Sequence, residues 1–307
     1  MERKRPGSDL LEGAVDCHVH ACPHLNARCL DVFQAARQAA DAGMRAIGLM
    51  DNFANSAGLA ALAMRELGER GVEVFGGLIM EPPAGGVSAE AVRIALDYGY
   101  GPGTGARFIS LPTHHTRNIA VQEGRPADYI ESCLAIPETG PLPDPLPEIL
   151  DLIAARDAVF NTGHVSAAEA VRVTEAARAR GVERILVPCS HYDEASVAEV
   201  CRLGAFAEFS FFFVSHATQV GLTHVDDERH TVAAVGVPSM ARLIRAATPQ
   251  RAVVSSDCGV FVLPPPAEGF REFLLLLEAA GFGRDDLKAM ASDNPARLFK
   301  VGEPGAS

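Results

Sequence analysis

No run in this 307-residue chain is apolar for long enough to cross a bilayer; its longest apolar runs are strand-sized. Membrane insertion is not expected. The opening Met1-Glu2-Arg3-Lys4-Arg5-Pro6 is basic, but Asp9 and Glu12 break any apolar core after it, so no secretory leader is expected either. Positive charge is scarce. Lysine and arginine together number 27 against 39 acids, a net charge of −12, and only three residues are lysine. A surface this acidic repels phosphate backbones and anionic lipid, which argues against nucleic acid and membranes as partners. Cys-x-x-Cys pairs are missing too. Seven cysteines, an odd number, read as reduced thiols in a cytoplasmic protein rather than a disulfide framework.

What is present is a rhythm. Hydrophobic residues at 48% and charged residues at 21% are ordinary for a packed globule and exclude disorder. Strand-like runs fall at 14–20, 45–51, 72–80, 106–113, 157–164, 183–190, 205–214 and 251–257. Amphipathic stretches separate them, and another comes after the last. Ser166-Ala-Ala-Glu169 has the pattern of a helix-capping box. Strand and helix alternating eight times predicts parallel strands joined by right-handed crossovers, an α/β (β/α)8 TIM barrel occupying residues 1–307 as one domain. The competing doubly wound sheet needs Gly-x-Gly-x-x-Gly after its first strand, and that signature is absent. Three long connections, 114–146, 215–237 and 258–269, each come directly after a strand and so belong to the C-terminal face, where barrels carry their sites. Pro264-Pro265-Pro266 is expected to interrupt any helix directly after Asp257.

The chemistry-bearing residues sit at strand ends. Asp16-Cys17-His18-Val19-His20 closes the first, and strand alternation predicts Asp16, His18 and His20 on one face with Cys17 and Val19 on the other. His164 ends the fifth, His191 the sixth and Asp257 the eighth. An isolated His-x-His is weak, since two histidines on a half-exposed strand end are common. In a barrel, however, all these ends meet at one mouth, and four imidazoles with a carboxylate suit zinc, manganese or iron. Glu208, flanked by aromatics in the seventh run, is expected to face the lumen with Ser210 and to need a partner. Phe209, Phe211 and Phe213 then face the helices. His216, His224 and His230 read as solvated loop residues. Arg117 and Arg125 are candidates to meet a carboxylate.

With these residues in place, the chain resembles the amidohydrolase superfamily of metal-dependent hydrolase barrels, in an uncharacterised branch. The resemblance runs through His18-x-His20, His164, His191, Asp257 and the closing Asn294-Pro295-Ala296-Arg297-Leu298-Phe299. It implies that His18, His20, His164, His191 and Asp257 hold one divalent metal, zinc first, or two, with manganese or iron(II) as alternatives. Asp257 and His191 are then the catalytic pair, and Asp16 supports the ligands from behind. The chain departs from the superfamily at strand four, which ends in Thr113-His114-His115 rather than a lysine or glutamate. This argues against a carbamate-bridged metal pair. Glu81, His114 and His115 are the candidates for substrate or second-metal contact, and alternation lets only one of the two histidines point inward. The implied reaction is hydrolysis of an amide, cyclic amide or lactone in a small molecule. A metal-dependent decarboxylase or lyase, and a non-catalytic metal- or ligand-binding protein, are the alternatives. Self-association into a homo-oligomer is compatible with either.

Overall fold

The computed structural model describes residues 5–101, 104–220 and 233–302; His224 and His230 lie outside them. Eight strands, β1 (Val15–Val19), β2 (Ala46–Leu49), β3 (Glu73–Ile79), β4 (Phe108–Ser110), β5 (Val159–Asn161), β6 (Ile185–Pro188), β7 (Phe206–Ser210) and β8 (Ala252–Ser255), form one sheet in sequential order. Every neighbouring pair is parallel. β8 returns beside β1, where the Asp257 N–H donates to the His18 carbonyl (2.9 Å) and the His20 N–H donates to the Cys258 carbonyl (2.8 Å). The ring of strands therefore meets at the residues expected to carry the chemistry. The fold is a (β/α)8 barrel.

Strand alternation produces two apolar layers. Cys17, Ala46, Phe75, Phe108, Val159, Leu186, Phe206 and Val253 fill the lumen, while Ile47, Val74, Ile109, Phe160, Val187, Phe209 and Val254 pack outward against the helices. The terminal helix Asn294–Phe299 plugs the floor: Phe299 stacks on Phe75 with ring centres 4.7 Å apart, and Arg107, just before β4, donates to its carbonyl. Helices lie where the periodicity placed them, with Ser166 and Glu169 closing a reciprocal capping box at the start of Ala167–Ala179.

Two local expectations are corrected, and two connections gain detail. β1 shifts register between Asp16 and Val19, so strict alternation fails there: Cys17 lies in the lumen cluster with Val15, its Sγ 3.9 Å from Glu208 Oε1, and the next residue, His18, turns to the same oxygen instead of sharing the opposite face with Asp16. No helix follows Asp257 directly, as expected: the next, Pro266–Ala279, begins only at the last residue of the proline run, where a missing N–H costs nothing. Connection 114–146 contains short helices at Arg117–Gln122 and Ala127–Ser132. The chain after β7 coils into a 3-10 turn, Phe211–Phe213, which brings Phe213 to the mouth instead of the helix layer.

Candidate metal centre

His18, His20 and Asp257 form the tightest polar cluster at the mouth. One ligand atom from each lies within 4.8 Å of the others, and among the described residues no other such group of three exists. Asp257 Oδ1 is 3.3 Å from His18 Nε2 and 3.1 Å from His20 Nε2. Ligands bound at about 2.1 Å around a tetrahedral ion sit roughly 3.4 Å apart, so the donor spacing fits a zinc-sized cation. The donor set, two imidazoles and a carboxylate, also suits manganese or iron(II).

The backbone is shaped to hold this cluster. Asp257 has φ +50°, a left-handed conformation costing about 1 kcal/mol for a residue with a Cβ, although aspartate tolerates it better than most. Two residues on, Gly259 has φ +132°, and a Cβ there would lie 1.9 Å from the His20 carbonyl oxygen. Only glycine lets the chain after β8 approach β1 this closely. Asp16, fully buried, accepts from the Ser256 N–H (2.9 Å) and the His18 N–H (3.3 Å), tying the two strands together directly behind the ligands.

Glu208 faces the lumen as its setting in the sequence demands, and its partners are now visible. Oε1 accepts from His18 Nδ1 (3.0 Å) and from Ser255 Oγ (2.8 Å). A carboxylate on Nδ1 fixes the proton there and turns the Nε2 lone pair toward Asp257. In the protein alone this acidic setting calls for a cation. Burial disfavours charge on His18, yet the Asp257 and Glu208 carboxylates outweigh it and raise its pKa to about 9. Burial and the Arg28 charge hold His20 far below its ordinary value, and burial takes His164 down to about 4. Both are neutral imidazoles. Burial also raises Asp257, and takes Asp16 to about 7.

The remaining expected residues separate. His164 faces Phe213, ring centres 6.4 Å apart, near enough to Asp257 and His18 to feel their charges but outside the group of three. His191 packs edge-on against the same ring at 4.8 Å, and its Nε2 lies 2.8 Å from the Ala233 carbonyl, in the connection after β7. Glu81 is occupied: it accepts from the Thr113 N–H (2.6 Å), the Thr113 hydroxyl, and the His114 and His115 N–H groups, bracing the turn after β4. His114 contacts Asn52 Nδ2 at 3.0 Å, at the end of β2. His115 turns away to Ser132 and lines a cavity of about 270 Å³ with Pro112, Cys133 and Pro143. Arg125 lies over the Tyr129 ring rather than at the mouth.

Sequence reasoning missed the β1 loop. His24, its side chain fully buried, sits 3.6 Å from Asp51 and 6.4 Å, ring to ring, from His20; Arg28 is 6% exposed beside it. The available signal was a histidine and an arginine close behind His-x-His, in a connection that must cross the mouth.

Solved structures of the same architecture include an amidohydrolase from Pseudomonas aeruginosa (10% identity, 96% of this chain and 97% of that one, TM-score 0.57). A PTE-like lactonase from Deinococcus radiodurans, in mutant form, matches at 16% identity over 96% and 98% of the two chains, TM-score 0.58. A Xaa-Pro dipeptidase with bound methionine in its active site matches at 16% over 94% and 75%, TM-score 0.58. At these identities the likeness shows the fold. No protein of curated function matches the sequence. The profile of DUF6282, described as a family of unknown function, matches residues 13–208, a span that takes in His18, His20, Arg28, His164, His191 and Glu208. The chain belongs to that family.

Proposed function

We propose that this barrel is a metal-dependent hydrolase acting on an amide, cyclic amide or lactone bond in a small molecule. The observation that carries the reading is the convergence of His18, His20 and Asp257 at the spacing of ligands around one ion. Amidohydrolase, lactonase and dipeptidase neighbours on the same barrel support it. His18, His20 and Asp257 would hold the ion, the imidazoles through Nε2 and the aspartate through a carboxylate oxygen, with His164 and His191 bordering the same mouth. Zinc is the first choice.

A bound divalent cation supplies Lewis acidity and brings the pKa of a coordinated water from about 16 toward ~7. The chain's own residues do the rest. Asp257 takes a proton from the attacking water and returns it to the departing nitrogen or oxygen. Glu208 keeps His18 in the tautomer that presents Nε2, and Asp16 holds the two strands in register. Phe213 places an apolar wall beside His164 and His191 and limits water at that side of the mouth.

Elemental analysis of purified protein is expected to find at least about one zinc-like ion per chain, lost in His18→Ala. A panel of amides, cyclic amides and lactones is expected to show chelator-sensitive turnover that Asp257→Asn abolishes. Full ion retention in His18→Ala sinks the centre; carbon dioxide release in place of a ring-opened acid moves the chemistry to a lyase.

A further inference from the structure

We propose that Arg28 is a recognition site for a carboxylate on the substrate, so that this centre acts on small molecules carrying a carboxylate close to the bond that is cleaved. The statement about cleavage rests on the hydrolase reading above; the anion site stands on its own geometry.

Arg28 lies in the connection between β1 and the helix Val32–Asp41, which is pinned from both sides. Cys22 bridges Asp31, Arg28 bridges Val260 in the connection after β8, and the Cys29 N–H donates to the Gly259 carbonyl at 2.8 Å. The residue is 6% exposed, yet among the described residues its Nε and Nη1 have no acceptor. Its one contact, Nη2 to His24 Nε2 at 3.2 Å, is a mismatch. His24 Nδ1 accepts from the Asn26 N–H at 3.0 Å, so that nitrogen carries no proton. Burial and the Arg28 charge push the ring down to about 3, so it is neutral. The single ring proton therefore sits on Nε2, facing Asp51 and the guanidinium alike. Among the described residues no carboxylate pairs with Arg28.

An arginine buried with its donors unmet is costly for a fold to retain, and a planar fork of N–H groups matches the two oxygens of a carboxylate in bidentate fashion. The position suits a substrate group. Arg28 adjoins His24, whose ring centre is 6.4 Å from that of His20, and His20 Nε2 is 3.1 Å from Asp257. The Arg28 charge is felt at both His20 and Asp257. A carboxylate docked here lies about one side chain from the candidate ion. With a net charge of −12 the chain as a whole repels anions, so an anionic substrate needs a local cation of this kind.

The test is calorimetric titration of the zinc-loaded protein with paired probes, N-acetyl derivatives of the common amino acids and their carboxamides, which differ only in the carboxylate. The carboxylates of at least some pairs are expected to bind about tenfold tighter or more. Arg28→Gln is expected to erase that preference and leave the carboxamide affinities within about twofold; Arg28→Lys, which keeps the charge and loses the fork, is expected to retain only part of it. Equal affinity within every pair in the unsubstituted protein overturns the proposal. So does a preference that survives in Arg28→Gln, or, should that variant fail to fold, one undiminished in Arg28→Lys. Inorganic phosphate binding through Arg28 with no preference among the probes marks a free-anion pocket and also overturns it. The titration reads binding alone, so an Arg28-dependent preference keeps the anion site standing even where the amide, cyclic amide and lactone panel shows no turnover and the hydrolase reading fails.

Discussion

His24 sets a measurable pH dependence. The ring is sealed from solvent, packs edge-on against Phe53 at 5.2 Å, and has a pKa of about 3, lowered by burial and then by the Arg28 charge. In the unfolded chain its pKa returns to about 6.5, so between those values the unfolded state binds a proton that the folded state refuses. A depressed histidine therefore contributes its full share above about pH 6.5 and loses it as pH falls toward 3. Each pH unit in the window is worth about 1.4 kcal/mol, so lowering pH from 7 to 5 removes about 2 kcal/mol through this residue. His24→Gln should be less stable than the parent at pH 7, having lost the ring packing, and the gap should narrow by about 2 kcal/mol at pH 5. The assay is urea unfolding of both proteins, stripped of metal by a chelator, at pH 7, 6 and 5. A gap independent of pH would show that His24 takes up its proton in the fold as readily as in the unfolded chain, and the argument that it stays neutral beside Arg28 would fall with it.

Glu208→Gln keeps the shape but loses the carboxylate that holds the His18 proton on Nδ1; metal affinity should fall about 10- to 100-fold by competition with a chelating dye, and an unchanged affinity would remove Glu208 from the centre. Phe299→Ala opens a hole under the lumen beside Phe75 and Phe108; urea unfolding should report a loss of about 3–5 kcal/mol, and a loss below about 1 would mean that the terminal helix does not seal the floor. Gly259→Ala forces a methyl into the His20 carbonyl, so it should weaken metal binding even in a protein that still folds, read by elemental analysis; full occupancy would show that β1 and β8 have room to part.

Much of this protein is legible in its sequence because barrel strands and helices obey local periodicity. All eight strands and the eight helices paired with them lie in or beside their expected ranges, since a period of two or of 3.6 is a property of neighbouring residues. The same holds for His18, His20 and Asp257: each ends a strand, and parallel strands of one ring must all end at the same mouth. Glu208 was legible as a buried acid in need of a partner. Its partner was not, because His18 lies 190 positions away and only barrel closure sets β7 across from β1.

Tertiary structure alone decided the rest. The register shift in β1 brings His18 to Glu208 beside lumen-facing Cys17, against simple alternation, where β1 is fitted between β2 and the backbone after β8. Glu81 braces the turn after β4 with its oxygens occupied, and His191 is drawn to Ala233, because each found a donor or acceptor from a distant part of the chain. Arg28 and His24 carry no motif; among the described residues the lack of an acceptor for Arg28 Nε and Nη1 exists only once the β1 loop is folded against the chain after β8. Periodicity is written residue by residue, whereas the pairing of a buried charge depends on every segment that folding brings within about 4 Å of it.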